Sequence, residues 1–466
     1  MATENVATAH LLVSSAFLAL GGLMTFLSMA SVSFLSLSGP LSYGRLRPMT
    51  MLIVMLGWLV PAFAGAAYYL LPRLTGAPLF QPRLAALGLL GTSGLTVLGV
   101  VWLALGLGDG TEPFGLPWYL DILILGTVSI PAVVTLGTIR NRTEEGVFAS
   151  LWFVMAAVIW LPGLALVSAL PNLAAVGRQL QEVVFSGGFS TLWVTAMGFG
   201  IAYYVAVKQT DNPLANRQVA KAGFWSLAFA GAFLGPVQVA FGPTPDWLDS
   251  ISAVLSLALP VSAIATTAAV ATTIDDDWAG AGERPTLLAV GYGLALAIVA
   301  SVLSVFGAFS SASALVGFTA FWDGIQFLVL FGVGGTFLSA YAYQAIPPMT
   351  GRRIDDISNA GRQIKLVAWG SLTTALFLVV AGILTGFAWT GGSYTGSYTD
   401  VGDGWAEAMA LTNVFIGVAV IGALVTFVGQ LLFVRNVISA ITSGTATAQE
   451  VLVYTPPGQA KGGGES

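Results

Sequence analysis

The chain contains a succession of apolar stretches that are nearly free of charged residues. A helix needs about 20 consecutive apolar residues to cross the hydrocarbon core of a bilayer, and stretches of that length recur along the whole sequence. The first is too long for the core of a signal peptide and is expected to remain in the mature protein. We predict an all-α integral membrane protein with about twelve transmembrane helices, at residues 11–35, 49–72, 84–107, 117–139, 147–170, 183–207, 222–242, 248–273, 286–309, 315–346, 366–389 and 410–434.

The tenth apolar stretch, 315–346, is longer than one span requires. Glycine is a point at which a helix can end or bend. We therefore expect the first part of this stretch to lie at the membrane interface, or the helix to break at Gly317 or Gly324.

Composition agrees with a fold whose solvent is lipid. Hydrophobic residues make up 56% of the 466 residues and charged residues only 8%, a balance outside the range of soluble domains. Cysteine is absent, which excludes disulfides, thiolate metal sites and iron–sulfur clusters. The net charge of -5 provides no basic surface, so nucleic acid is not an expected partner.

The basic residues fall almost entirely into alternate loops. If the twelve spans alternate in direction, one side holds 14 of the 17 basic residues and the other holds only Arg45, Arg47 and Arg178. Cytoplasmic loops carry the excess of lysine and arginine, so both termini are expected in the cytoplasm and the protein in the cytoplasmic membrane. We predict one polytopic domain over residues 1–435 and a polar cytoplasmic tail over 436–466.

Two carboxylates, Asp121 and Asp323, lie inside apolar stretches. An intramembrane carboxylate is a functional candidate, because burying its charge is costly. Both nevertheless fall near the predicted outer start of a helix, where free backbone N–H groups and the helix dipole stabilise an anion. Asp323 has a further alternative, an ion pair with Arg45 or Arg47 on the same side.

Several short motifs occur in the same order and at similar spacing as in one known family. They are Gly44-Arg45-Leu46-Arg47-Pro48, the stretch 65–76, Tyr203-Tyr204 with Lys208-Gln209, Gly235-Pro236, Pro245-Asp246-Trp247 and Pro347-Pro348-Met349-Thr350-Gly351-Arg352. Together they resemble the catalytic subunit of the haem-copper oxidase superfamily, in the form found in cbb-type oxidases and nitric oxide reductases. The resemblance covers roughly residues 10 to 435 and implies a twelve-helix, subunit I-like bundle.

What that family does with the bundle depends on six histidines, which bind two haems and a copper ion through neutral imidazole nitrogens. This chain has one histidine. With a one-residue choice of register on the sixth helix, the resemblance places the six positions at Thr50, at Gly187 or Gly188, at Val237 and Gln238, and at Ile325 and Phe327. None carries an imidazole, so we predict no haem, no copper and no metal site.

Substitute ligands are scarce in the sequence. Met49 and Met51 flank Thr50, and a thioether can ligate haem iron, but Phe327 at the opposing position offers no donor. Methionine in a membrane helix is more often a packing residue. The single histidine, His10, falls at the start of the first helix and is expected at the interface.

Three functions remain open. The first is a non-catalytic relative that acts as a subunit or scaffold of a respiratory membrane complex, with other membrane subunits and the bilayer as partners. The second is a terminal oxidoreductase for oxygen or nitric oxide whose cofactors are held in an unfamiliar way or supplied by a partner. The third is a transporter or channel through a cavity lined by Thr50, Gln238 and Gln326, although the apolar Val237, Ile325 and Phe327 favour a cavity filled by packing.

Overall fold

The computed structural model describes residues 3–110, 114–170, 175–231, 233, 235–239, 244–391 and 401–445. All the secondary-structure elements in these residues are helices. Twelve main helices correspond in order to the twelve predicted spans. They are α1 Thr3–Ser33, α2 Tyr43–Thr75, α3 Pro82–Ala104, α4 Trp118–Arg140, α5 Ala149–Ser168, α6 from Ala175 to Thr210, α7 Arg217–Gly231, α8 from Asp246 to Ile274, α9 Pro285–Ala308, α10 Ala320–Thr350, α11 Ile357–Gly391 and α12 Val401–Ser443.

Most helices extend beyond the predicted spans. Helix α2 begins at Tyr43, so that Arg45 and Arg47 lie in its first two turns, and α12 continues past the predicted boundary at residue 435 to Ser443. Hydropathy marks only the part of a helix that sits in hydrocarbon, whereas the hydrogen-bonded backbone can continue into the polar interface.

The seventh predicted span is the one whose helix is much shorter than expected. Within the described residues, eleven helices are long and apolar enough to cross a membrane, and α7 is not among them. It ends at Gly231, and Pro236–Val239 form a 3-10 turn. The prediction of one helix over 222–242 is therefore wrong. Pro236 helps to explain why the helix does not continue, because a proline lacks the N–H donor and clashes with the preceding helical turn.

The predicted break in the tenth apolar stretch is confirmed at Gly317. A short helix, Ser310–Val316, ends there, and α10 begins at Ala320. Between them Phe318 has a φ of 58°, a left-handed conformation that interrupts a helix. Gly324, the alternative position, lies inside α10.

Two contacts at the helix ends show the relative directions of α1 and α2 and of α6 and α8. Glu4 at the start of α1 pairs with Arg73 near the end of α2, 3.6 Å apart, and Asn212 after α6 donates a hydrogen bond to the Thr273 carbonyl at the end of α8. Helices α6 and α8 therefore finish at the same end of the bundle, and α7 lies between them in the chain. We name the two ends of the bundle after Arg73 and Arg47. Which side of the membrane each faces stays a prediction.

Helices α2, α6 and α10 form the centre of the bundle. The most apolar part of each is 94%, 94% and 89% buried, against 33 to 56% for the other spanning helices. Each also has the same construction, a seven-residue π-helical segment followed by a sixteen-residue α-helix. The π segments are Ile53–Leu59, Gly188–Val194 and Leu328–Gly334.

The same cap ends all three central helices. The last residue is a threonine, and the next residue is left-handed, with φ of 67°, 55° and 66° at Gly76, Asp211 and Gly351. In each case the threonine hydroxyl also accepts a hydrogen bond from the backbone N–H two residues further on. A tyrosine precedes each threonine by seven residues, in the pairs Tyr68 and Thr75, Tyr203 and Thr210, and Tyr343 and Thr350. This repeat was readable in the sequence but was missed there.

Candidate functional site

A cavity of about 690 Å³ lies at the Arg47 end. It is lined by the first turns of α2, α6 and α10, by the turn that follows α7, and by the end of α3 with the segment after it. We call it the polar chamber, because its lining includes Arg45, Arg47, Gln238, Asp323 and Gln326. Five separate parts of the sequence converge on it.

A second cavity of about 160 Å³ lies beside the first, between α1, α2 and α10. We call it the apolar chamber, since carbon-rich side chains such as Met29, Val54 and Leu330 dominate its lining. Thr50 and Phe327 also line it. Six residues line both chambers and so form their common boundary: Tyr43, Arg47, Met51, Ala320, Asp323 and Gln326.

Arg47 and Asp323 form an ion pair at this boundary. Arg47 Nη2 lies 3.4 Å from Asp323 Oδ1, and the two side chains keep 32% and 45% of their accessible surface. Arg47 Nη1 donates to the Tyr43 hydroxyl at 3.2 Å. The prediction that Asp323 pairs with Arg45 or Arg47 is confirmed for Arg47, whereas Arg45 donates to the Ala104 carbonyl at 3.0 Å.

The local sequence positions both members of the pair. The side chain of Thr319 accepts a hydrogen bond from Phe321 N and so caps the start of α10. That start places Asp323 in the first turn of the helix, where the dipole favours a negative charge. Asp121 lies in the first turn of α4 and lines neither chamber.

At the family's ligand positions on α2 and α10, the side chains make packing contacts or bond to their own helix. The Thr50 hydroxyl donates to the Leu46 carbonyl of its own helix at 2.7 Å. Phe327 packs against Phe331, with ring centroids 4.7 Å apart. Ile325 is buried. The hydroxyl of Thr50 is thus engaged by the backbone, and the facing side is aromatic.

The ligand positions on α6 and in the turn after α7 lie very close together. A Cβ atom built on Gly187 would lie 2.6 Å from Gly235 Cα and 3.2 Å from Gln238 Nε2. A Cβ atom on Gly188 would instead meet the Leu164 side chain of α5. Of the two possible registers, Gly187 is therefore the residue that faces the turn of Val237 and Gln238. Val237 is buried, whereas Gln238 reaches the polar chamber.

Gln238, Gln326 and Trp322 line the polar chamber. The Trp322 indole N–H is itself inaccessible and has no hydrogen-bond partner among the described residues. Sequence reasoning missed Trp322, and it took the apolar neighbours as a sign that packing fills the cavity. That expectation is wrong, since both chambers remain open.

The single histidine lies far from the chambers. His10 is buried near the Arg73 end, where its Nδ1 hydrogen-bonds the Val6 carbonyl at 2.8 Å and its ring meets the Tyr68 ring at 5.2 Å between centroids. The side chain is therefore packed inside the bundle rather than exposed at its surface, and its depth relative to the membrane interface stays a prediction. Gly65 allows this packing, because a Cβ there would lie 2.7 Å from His10 Cβ.

Comparison with known proteins agrees with this architecture. The model of the family described as cytochrome c and quinol oxidase polypeptide I matches residues 5–425. The chain belongs to this family. One relative, the cbb3-type cytochrome c oxidase subunit CcoN1 of Stutzerimonas stutzeri, is 25% identical over 409 residues, which cover 85% of each protein. Another, cytochrome c oxidase subunit 1 of Rhodobacter capsulatus, is 27% identical over 48% of this chain and 44% of its own length.

A solved structure shows the same fold. A haem-copper terminal oxidase dimer studied by cryo-EM superposes with a TM-score of 0.76, at 12% sequence identity, over 95% of this chain and 84% of that one. The prediction of a subunit I-like helical bundle is thus confirmed.

Members of the family normally bind haem and copper. The donor atoms lining the two chambers here are hydroxyl, amide, guanidinium and carboxylate groups and the thioethers of Met29 and Met51. Among the residues described, no three histidine, cysteine or acidic side chains are grouped to hold a metal ion. Haem iron and copper are held mainly by imidazole and sulfur ligands, so the residues present do not fit two haems and a copper ion.

Proposed function

We propose that this chain is a divergent, non-catalytic member of its family that carries neither haem nor copper at the family's ligand positions. In this proposal it serves as a subunit or scaffold of a respiratory membrane complex, in the cytoplasmic membrane with both termini in the cytoplasm. The observation that carries the proposal is the identity of the side chains at the six positions: Thr50, Gly187, Val237, Gln238, Ile325 and Phe327.

The packing around these positions supports the proposal. The axial ligands of haem iron are histidine, cysteine, methionine or tyrosine side chains, whereas Thr50 offers a neutral hydroxyl, which donates its proton to the Leu46 carbonyl, and Phe327 has no donor atom. At the proposed copper position, Gly187 has no side chain, and Gly235 occupies the place that one would need. One glutamine amide, that of Gln238, is a poor ligand set for a transition metal.

The scaffold role draws support from the relatives. Two of them are named as subunits of cytochrome c oxidases, and a subunit must keep the surfaces that contact its partners. We propose that those partners are other membrane subunits of a respiratory complex.

The open chambers favour one second candidate, a transporter or channel. Gln238 and Gln326 line the polar chamber, and a path for a polar solute requires such amide groups. Their neighbours in the sequence, Val237, Ile325 and Phe327, are buried and apolar and count against a continuous path.

Visible absorption of the purified chain, together with iron and copper analysis, tests the proposal. We expect no Soret band and no stoichiometric metal, and co-purification of other respiratory membrane subunits. A Soret band at one or more haems per chain would overturn it in favour of the oxidoreductase. A metal-free monomer that is stabilised by a solute, with no co-purifying subunit, would favour the transporter.

A further inference from the structure

The two chambers together have the shape and chemistry of a site for an amphipathic molecule. One is lined by charged and amide groups and the other by carbon, and they meet at Arg47 and Asp323. We propose that the joined chambers bind one zwitterionic phospholipid, with its phosphate at Arg47 and one acyl chain in the apolar chamber. This inference goes beyond the scaffold role but rests on the proposed absence of haem, because Thr50 and Phe327 line the apolar chamber; a Soret band would overturn the proposed function, whereas a haem-free chain that does not bind phospholipid would overturn this inference alone.

The hydrogen-bond donors at the boundary select a phosphate. Arg47, with its guanidinium, and Gln326, with its amide, line both chambers, and Arg45 adds a second guanidinium to the lining of the polar chamber. Guanidinium and N–H groups donate to anionic oxygens, and arginine is well suited to phosphate. The ligand head must therefore supply acceptor oxygens.

The carboxylate of Asp323 selects a second charge on the same head. The polar chamber is lined by a second carboxylate, Glu182, as well as by Arg45 and Arg47. A purely anionic head would lie beside the two carboxylates, and like charges repel. A phosphate with a neighbouring ammonium group instead matches both members of the pair. The pair can open to admit it, because its atoms are 3.4 Å apart and both side chains are partly exposed, so that their mutual attraction is weak.

The apolar chamber suits an acyl chain and offers a route from the bilayer. Two of its hydroxyls are already engaged by backbone carbonyls, since Thr50 donates to Leu46 and Thr25 donates to Gly21. Val32 lines this chamber and is also 44% exposed on the surface of α1. The lining therefore continues into a surface that contacts lipid, and burial of methylene groups would supply affinity.

Thermal unfolding of the delipidated full chain tests the proposal. We expect short-chain phosphatidylethanolamine to raise the melting temperature more than phosphatidylglycerol of the same chain length. Inorganic phosphate and decanoate, which each supply half of the ligand, should have little effect. Native mass spectrometry of the chain purified in mild detergent should show one retained phosphatidylethanolamine.

Three variants at the site and one control variant locate the binding site. Arg47→Gln should weaken phosphatidylethanolamine binding roughly tenfold or more, since it removes a charge-assisted hydrogen bond. Ala320→Leu should weaken it by filling the boundary, whereas Ala268→Leu on the exposed surface of α8 should have no effect. Asp323→Asn should reverse the preference towards phosphatidylglycerol.

Two results would overturn the proposal, and both come from the unmodified chain. One is an equal stabilisation by decanoate or by inorganic phosphate alone. The other is the absence of any retained phospholipid combined with no response to phosphatidylethanolamine. If a variant fails to fold, these two measurements still decide the question.

Discussion

Gly187 of α6 touches the backbone of Gly235 beyond α7: a Cβ atom on Gly187 would lie 2.6 Å from Gly235 Cα. The two backbones meet because neither residue has a side chain, which is how membrane helices approach closely. The contact also leaves no room at Gly187 for the side chain of a metal ligand.

Gly187→Ala should therefore destabilise the protein, by about 1–3 kcal/mol, because the opposing atom is backbone and cannot rotate away. Gly188→Ala is the matched control. Its Cβ would meet the flexible end of Leu164, which can change rotamer, so we expect a loss under about 1 kcal/mol. Unfolding in detergent measures both. Equal stability losses would contradict the register assigned here.

A buried polar network connects α10, α11 and α12 near the Arg73 end. The Tyr343 hydroxyl donates to Gln363 Oε1 at 2.8 Å and accepts from Asn436 Nδ2 at 3.1 Å. Tyr343→Phe would leave both amides short of a partner, and we expect a loss of about 1–3 kcal/mol in unfolding free energy.

Tyr341 supplies the control for this network. It is also buried, but its hydroxyl has no hydrogen-bond partner among the described residues. Tyr341→Phe should therefore be close to neutral or slightly stabilising. If Tyr341→Phe cost as much as Tyr343→Phe, the network would not be the source of the stability.

The ion pair between Arg47 and Asp323 should contribute little to folding. Both side chains are partly exposed, and exposed pairs contribute about 0–1 kcal/mol. We expect Asp323→Asn to leave the melting temperature of the delipidated chain nearly unchanged while it alters the choice of phospholipid. A large fall in melting temperature without lipid would show that the pair is structural.

An exposed contact between Asp355 and Thr445, which we call the clamp, should weaken at low pH. Asp355, in the loop before α11, accepts hydrogen bonds from the hydroxyl and the N–H of Thr445, which follows α12. The pKa of Asp355 lies below its ordinary value. The hydrogen bond from the Thr445 hydroxyl is the largest cause, followed by the bond from the Thr445 N–H and by the nearby charge of Arg353. A lowered folded-state pKa gives stability that is present above the unfolded pKa, about 3.9, and is lost as pH falls through the folded pKa.

Hydrogen exchange at the Thr445 amide measures this clamp. Protection should be present at pH 7 and should fall below about pH 4, after correction for the intrinsic exchange rate. Asp355→Ala should remove it at pH 7, whereas Glu145→Gln, on another exposed loop at the same end, should not. Protection that persists in Asp355→Ala would assign the ordering of Thr445 to Arg353 instead.

Much of the fold was predictable, because a bilayer forces each segment to satisfy its own backbone hydrogen bonds. Apolar length located the helices, and the alternation of basic loops agreed with their directions. The break at Gly317 and the pairing of Asp323 also followed from local sequence. The early end of α7 did not, because hydropathy does not register the close approach of Gly235 to Val183.

The amino-acid sequence by itself determined the membrane class, the order of the spans and the side chains that stand at the family's ligand positions, since these depend on the identity of residues along the chain. Only the tertiary structure decided that space remains at the Arg47 end. The chambers depend on how side chains from α1, α2, α6 and α10 pack together. Apolar replacements such as Val237 and Phe327 fill their own volume, but whether neighbouring helices close over the remainder is a property of the assembled bundle.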